Sequence, residues 1–500
     1  MTENISVDVA VIGAGFVGSL TALLLNRIGL RVVLLESGSH PRFAIGESST
    51  PIADLILGDL AQRYDLPSLL PLSHYGTWKQ TYPDLNCGLK RGFSYFKHRP
   101  EQPFHSLPDH SNELLVAASR DDEHSDTHWM RSDVDTFLVN QVKAAGIPYY
   151  DQMKLTHQQH WPTWQLRATS ETASLAIQAE FLIDATGEAA FLPRALDLSR
   201  CLHQLRTSSR SLFAHFTDVT PWQDILTSQH SDTNIHPFCC DAAALHHVLE
   251  EGWMWQLRFD NCVTSVGITL DADRHPLNSA ISADKEWEAI LNRYPSLGRQ
   301  FATAQIIAPE RGLTRTGRLQ RQWSQIVGDN WALLPHTAGF IDPFFSAGIA
   351  HTLCGVENLV HLLENYWGRE SLSTELRVYE MMIKSEFELI DKLVQGSYLS
   401  LRNFDLFVPF TMLYFAAATT YEHRRLKTGY SPGRAFLCAD DGDYRRIVSQ
   451  IRHNLEIALR QTDLQTTHRF FNDVAQAIAP YNIAGLCDLN VSNMYRYTAV

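Results

Sequence analysis

Val7 to Glu36, VDVAVIGAGFVGSLTALLLNRIGLRVVLLE, decides the fold. Val7 to Ile12 is a run of mostly apolar, β-branched residues, the pattern of a buried parallel strand. Gly13-Ala14-Gly15-Phe16-Val17-Gly18 follows, then a helical stretch from Ser19 to Ile28, then a second strand from Arg31 to Leu35 that ends at Glu36. The order is strand, G-x-G-x-x-G, helix, strand, acid. Each glycine has its own physical task. Gly13 permits the tight turn, Gly15 lets a pyrophosphate approach the backbone, and Gly18 lets helix and strand pack closely. The N–H groups of Phe16 and Val17 at the helix start then face the phosphates, and Glu36 with Ser37 meets the ribose. This pattern predicts a dinucleotide-binding α/β domain. It does not distinguish a flavin from a nicotinamide.

Composition limits what surrounds this unit. The 500 residues, 45% of them hydrophobic and 19% charged, are enough for one large core or two smaller ones. A net charge of -13 disfavours nucleic acid as a partner. The eight cysteines form no C-x-x-C pair, so reduced thiols in a cytoplasmic protein are expected, and no zinc or other metal site. The N-terminus does not read as a signal peptide, because glycines puncture its apolar stretch. The apolar run from Leu406 to Thr420 contains Pro409 and falls short of the roughly 20 residues of a membrane span, so it reads as a buried helix.

Four further segments carry a resemblance. Pro41 to Pro51 (PRFAIGESSTP) holds a Gly46-Glu47-Ser48 turn soon after the second strand. Trp129 to Leu138 (WMRSDVDTFL) contains Arg131. Phe181 to Arg194 (FLIDATGEAAFLPR) ends a strand in Asp184-Ala185-Thr186-Gly187. Gly328 to Gly348 (GDNWALLPHTAGFIDPFFSAG) has the character of a strand and loop. In order and spacing they resemble the flavin-dependent halogenases of the tryptophan-halogenase type, within the aromatic-hydroxylase-like flavoproteins, from about residue 5 to 365. The resemblance implies FAD, used as FADH2, and a separate flavin reductase that supplies it. It implies an FAD-binding Rossmann-like core over 1–365 with an inserted β-sheet substrate region (roughly 61–109 and 201–319). A helical C-terminal region, 366–500, would cover the substrate site. One departure stands out. The family has Gly-Asp-Ala-Ala where this chain has Pro335-His336-Thr337-Ala338. A histidine can donate a hydrogen bond but cannot accept two ribityl hydroxyls as a carboxylate does.

The resemblance also implies three catalytic features. Reduced flavin and oxygen convert halide (chloride, bromide or iodide) into hypohalous acid, which must travel to a substrate held elsewhere. Ser346-Ala347-Gly348 opens an apolar helical stretch, and the family's halide-contacting backbone positions match Ala347 and Gly348, with Gly348 and Ile349 also against the flavin. Backbone N–H groups at a helix start suit an anion. Trp253-Met254-Trp255-Gln256-Leu257-Arg258 resembles the family's W-x-W-x-I-P box, and on a strand the two indoles share a face. Lys90, in Gly88 to Phe96 (GLKRGFSYF), resembles the family's essential lysine, with Lys79 as its rival. Its ammonium would polarise hypohalous acid; a neutral amine would instead form a haloamine. Phe345 stands where tryptophan halogenases carry a glutamate, which points to a phenol-, pyrrole- or indole-like substrate other than free tryptophan, free or tethered to a carrier protein. A single-component aromatic hydroxylase, a geranylgeranyl-type reductase and a non-catalytic flavoprotein use the same dinucleotide motif and are the alternatives.

Overall fold

The first strand, Thr2–Ile12, lies inside an eight-stranded sheet between Val32–Leu35 on one side and Ser174–Asp184 on the other, both parallel to it. Beyond Val32–Leu35 comes Tyr149–Tyr150, and beyond Ser174–Asp184 comes Trp331–Leu333. Parallel neighbours and burial on both faces explain why Val9 to Ile12 and Val32 to Leu35 read as continuous apolar strands. The computed structural model describes residues 2–159, 161–461 and 463–496. Gly13 follows the first strand with φ of +98°, and a Cβ there would sit 2.6 Å from the Ala185 carbonyl oxygen. The helix begins at Phe16, earlier than the expected Ser19, so Gly18 falls in its first turn. A Cβ on Gly18 would lie 1.8 Å from the Gly13 carbonyl oxygen, which enforces glycine there. Helix Phe16–Arg27 is buried continuously from Phe16 to Leu25, packed on helices Arg131–Ala144 and Gly348–Tyr366. Each fully buried leucine contributes about 1.5–3 kcal/mol.

The second sheet has nine strands and carries the chemistry. Its central order is Ser209–Thr217, Thr264–Asp271, Gly252–Arg258, Ala244–Val248, Gly92–Lys97, Glu113–Ala117. The inserted sheet therefore continues past residue 109, and its far edge is Met494–Tyr495, contributed by the C-terminal region. Side-chain alternation splits this sheet between two cores. Trp253, Trp255 and Leu257 face the large flavoprotein core. Met254 and Leu245 face a second core with Phe96 and Trp222. A separate two-stranded ladder pairs Cys87–Lys90 with Asp126–Trp129, placing Lys90 opposite Asp126.

Residues 372–478 form four helices: Leu372–Ser400, Phe404–Thr428, Gly442–Ala458 and Leu464–Ile478. Phe404–Thr428 is buried almost throughout and contains Pro409. Among the described residues, no helix is long and apolar enough to cross a membrane. Arg425 fixes the register of this helix. It is buried, pairs with Glu357 at 2.8 Å and with Asp59 at 2.6 Å, and Glu357 also receives Arg63 at 2.9 Å. A buried arginine held by two carboxylates sets position more than it adds stability. The helix is thereby fastened to Pro51–Arg63 and Gly348–Tyr366, the segments that follow the Gly46-Glu47-Ser48 turn and the Ala347-Gly348 loop. All eight cysteines are free thiols.

Candidate active site

Arg131 brings the separated dinucleotide segments together. Its Nη1 donates to the carbonyls of Ile45 and Gly46 at 2.9 and 3.2 Å, its Nε and Nη2 grip Asp135, and its guanidinium lies 4.7 Å over the Phe16 ring. The Gly46 turn is thus tied to the start of helix Phe16–Arg27. Gly15 lies among charges, with Arg131, Asp135 and Arg42 side-chain atoms 3.5–3.8 Å from where its Cβ would be. Glu36 accepts from the N–H groups of Ala14 and Gly38 at 2.8 Å each. Burial works to raise its carboxyl, but those donors and Arg42 hold it below the usual range. The Phe16 N–H, expected to face phosphate, donates instead to Asp135 at 3.0 Å.

FAD is a long polar cofactor, and its path should be lined by buried polar atoms with no protein partner. Such atoms lie on this path: both ring nitrogens of His40, Arg42 Nε, Ser48 Oγ, Thr50 Oγ1 and His336 Nδ1. His336 Nε2 contacts the Ala185 carbonyl at 3.1 Å. A carbonyl only accepts, so Nε2 carries the proton and Nδ1 offers a lone pair. Burial lowers the His336 imidazole to about 3, so it stays neutral. The expected donor is therefore an acceptor, suited to one hydroxyl. Gly187, at φ +60°, lies directly beneath the ring. Asp184 does not reach the path. Its carboxylate is used up on the turn, accepting from Thr186 N, Thr186 Oγ1 and Leu192 N at 2.6–2.8 Å. Glu47 is buried and bonded to His215 Nε2 at 2.7 Å. The residues present fit FAD.

Ala347 caps helix Gly348–Tyr366, and nothing lies within 4 Å of a Cβ built on Gly348. The first N–H groups of a helix lack intrahelical partners, so this helix start has donors to spare, with Ala347 buried and Gly348 exposed. Ile349 is buried behind them. Just upstream, Asp342 accepts from Ser209 Oγ at 2.6 Å, Tyr398 OH at 2.9 Å and Phe344 N at 3.0 Å, and burial pushes its carboxyl up to about 7. Tyr398 in turn receives Trp253 Nε1 at 3.0 Å. One polar chain therefore fixes the loop and orients the first indole.

Trp253 and Trp255 lie side by side, centroids 5.9 Å apart. The Trp255 ring lies directly over Gly267, its register partner, where a Cβ would come within 2.1 Å of the indole. Trp253 continues into His246 at 5.1 Å and Phe344 at 4.9 Å, and His246 into Phe93 at 6.2 Å. Arg258, which departs from the family box, turns away to Asp241 and the Val219 carbonyl.

The aromatic wall ends at Lys90. Its Nζ lies 4.3 Å over the Phe93 ring and 3.2 Å from Asp126 Oδ2, and its exposure is 0%. Lys79, by contrast, is on helix Tyr75–Thr81, 30% exposed, and paired with Asp260 at 3.0 Å. Burial raises the Asp126 carboxyl and, with the charge of Asp126, pushes Asp54 next to it well above the usual range, while Lys90 and a hydrogen bond from Asp54 favour the ionised form of Asp126. Asp54 is held by Ser49 Oγ at 3.1 Å. A small cavity opens beside this cluster, lined by Thr50, Pro51, Phe93, Ala118, Tyr414 and Glu422. A larger surface groove between helices Leu372–Ser400 and Gly442–Ala458 is lined by solvated ion pairs and lies far from these groups in the fold.

Sequence reasoning missed Asp54, Asp126, Asp342, Tyr398 and Glu422. Each is a single acid or phenol in an otherwise ordinary helix or strand, or for Asp342 in a loop, and only the fold brings it to the site. It also expected no metal ligands, on cysteine spacing alone. His110, Glu113 and His236 meet on the second-core side of the sheet, where both imidazoles bond one Glu113 oxygen at 2.8 and 3.2 Å.

Comparison with known proteins places the chain in a family. A family model described as tryptophan halogenase matches residues 126–407, and one described as FAD dependent oxidoreductase matches 8–239. The monodechloroaminopyrrolnitrin halogenase PrnC of Pseudomonas fluorescens is 29% identical over 475 residues, spanning 90% of this chain and 81% of that one. The tetracycline 7-halogenase of Kitasatospora aureofaciens is 28% identical, spanning 80% and 71%. The crystal structure of halogenase PltM with phloroglucinol and FAD superposes with a TM-score of 0.84 at 25% identity, covering 99% of this chain and 100% of that one.

Proposed function

Because this chain belongs to the tryptophan halogenase family, we propose that it uses FADH2, delivered by a separate flavin reductase, and oxygen to halogenate a small electron-rich aromatic substrate. The Gly13–Gly18 and Gly46–Ser48 segments, with His336 and Ile349, would hold the reduced flavin, which with oxygen would supply the two-electron oxidation of halide to hypohalous acid. The halide itself is held by the N–H groups of Ala347 and Gly348, where the helix start favours an anion. The Trp253–Trp255 wall, pinned through Tyr398 to Asp342, keeps the arene from the oxidising centre, so that halide and not the arene takes the oxygen atom. Lys90 donates a hydrogen bond to the hypohalous oxygen and makes it a better leaving group as the ring attacks the halogen. The ring would lie against Phe93, Tyr414 and Glu422, whose cavity measures about 20 Å³ in this structure and must widen to admit it, and its orientation decides which carbon reacts.

The observation that carries this reading is Lys90. It is buried completely, paired with Asp126, and set at the end of a continuous aromatic wall, its Nζ over the Phe93 ring that also lines the cavity. Burying a lysine costs several kcal/mol unless it is paired, and a merely structural role has no need of it. PltM, crystallised with phloroglucinol, makes a small phenol a reasonable first probe. The test supplies the purified protein with FAD, an NADH-driven flavin reductase, oxygen and bromide before a panel of phenols, pyrroles and indoles, free and carrier-bound. Bromide-dependent gains of one bromine in product mass are expected. Oxygen insertion that is independent of halide would overturn the reading in favour of a hydroxylase.

A further inference from the structure

Glu422 has no role in the scheme above, yet it occupies the most consequential position in the cavity. It lines the cavity from helix Phe404–Thr428 and is 4% exposed. Among the described residues its carboxyl makes no hydrogen bond and no ion pair. The nearest cation, Lys90, is already paired with Asp126. The groups that face it are Lys90 on Cys87–Lys90, Asp126 on Asp126–Trp129, with Asp54 of Pro51–Arg63 behind, and Tyr414 two turns earlier on its own helix. An unpartnered carboxyl at this depth is costly, and Arg425, three residues on, fixes the helix so that it cannot turn away. Phe345, which fills the position where tryptophan halogenases carry a glutamate, stacks on Tyr414 at 4.3 Å. The loop therefore supplies an aromatic surface, and the C-terminal helix supplies the acid.

We propose that Glu422 selects the substrate: it accepts a hydrogen bond from a ring O–H or N–H of a neutral, electron-rich arene and takes that proton while the carbon held toward Lys90 is halogenated. The inference rests on the halogenase reading above. A phenol becomes far more nucleophilic as its proton leaves, and a carboxylate whose affinity for protons is raised is the stronger base. Burial, followed by the charge of Asp126, raises the Glu422 carboxyl well above its ordinary value, and an incoming O–H donor favours its ionised form. The substrate class is thus hydroxylated arenes, anilines or pyrroles, each with a ring O–H or N–H to give.

The step balances. The ring π pair forms the carbon–halogen bond as the halogen–oxygen bond breaks, and that oxygen leaves as water with a proton from the Lys90 ammonium. The ring O–H proton passes to Glu422. The proton on the halogenated carbon then returns to the Lys90 amine, and Glu422 returns its proton to the ring oxygen. The sum is arene plus hypohalous acid giving haloarene plus water, with both side chains restored.

The test compares phloroglucinol with 1,3,5-trimethoxybenzene, which is electron-rich but has no O–H. The assay contains the full chain, FAD, reductase and bromide, with the rate ratio of hypobromous acid in buffer as baseline. Wild type should prefer phloroglucinol by at least about tenfold beyond that baseline. Glu422→Gln keeps an acceptor but cannot take the proton. It should lose about 10²-fold in kcat with little change in KM, and recover as pH rises toward the phenol's own pKa. Glu422→Ala should also weaken phloroglucinol binding in titration calorimetry, a readout independent of turnover. An ether brominated as fast as the phenol, relative to baseline, would overturn the proposal, as would a Gln variant with wild-type kcat and pH profile. A β-diketone trap assayed with wild type separates the two levels. Trap bromination without reaction of either arene overturns this substrate class alone, whereas no trap bromination overturns the halogenase reading and this inference with it.

Discussion

The flavin end and the lysine end of this molecule are built on opposite plans. At the flavin end the polar atoms are short of partners: His40, Arg42, Ser48 and His336 have buried hydrogen-bonding capacity unused, and glycines hold the backbone open. At the lysine end Lys90 is paired with Asp126, Asp54 lies next to that pair, and the Phe93 ring covers the ammonium, which leaves Glu422 as the unpartnered group. The first plan suits a cofactor that arrives with its own hydroxyls and phosphates and leaves again. The second suits a fixed group that must meet a small, reactive, neutral molecule away from water. Separation of the two by Trp253 and Trp255 is what makes a halogenase different from a hydroxylase in this account.

The sharpest way to break the comparison is to disable one end and watch the other. Lys90→Ala should lower substrate halogenation by about 10²–10⁴ while FAD affinity stays within about twofold, measured by turnover and by flavin fluorescence titration. Loss of flavin binding in that variant would show that the two ends are not separate. The converse is Gly18→Ala, whose Cβ would lie 1.8 Å from the Gly13 carbonyl oxygen. It should weaken FAD binding by about 100-fold or more, or about 2.7 kcal/mol, and activity should return only partly with excess FAD.

The wall between the ends offers a pH test. The Asp342 carboxyl is pushed up to about 7 from its usual 3.8 by burial. The folded state therefore binds the proton more tightly than the unfolded chain. Its stabilising contribution is complete below about pH 4 and is lost as pH rises through about 7, with a slope of at most about 1.4 kcal/mol per pH unit. Denaturant titrations from pH 5 to 8 should show wild type losing stability relative to Asp342→Asn. An identical pH dependence in the two proteins would contradict this. The smallest effect is expected at the departure from the family motif. His336→Asp restores an acceptor for two hydroxyls and should tighten FAD binding by about fivefold, or about 1 kcal/mol.

The same contrast explains what the sequence revealed. The flavin end is local: Gly13 to Glu36 is one contiguous unit whose spacing carries its own physical reasons, and Gly46-Glu47-Ser48 follows within a few residues. Trp253 and Trp255 were legible because alternation on a strand places them on one face without reference to anything else. Lys90 was visible only through the motif around it, since no property of Gly88 to Phe96 announces a fully buried amine. Asp126 reaches Lys90 through a two-stranded ladder, and Glu422 through a helix more than 300 residues away in the chain. Such long-range placement has no periodicity to read. The His336 substitution was seen, but its consequence depended on the Ala185 carbonyl, which reversed the ring from donor to acceptor.

The central claim is that oxidation of halide and its use on the arene occur at two stations, with Lys90 serving the second. One paired assay tests this most directly. Lys90→Ala is supplied with FAD, reductase, oxygen and bromide, and bromination of a β-diketone trap is followed beside bromination of the aromatic substrate. The account predicts that the trap is still brominated while the arene product falls by about 10²-fold or more. Arene bromination at the wild-type rate, or loss of trap and arene products together, would contradict it.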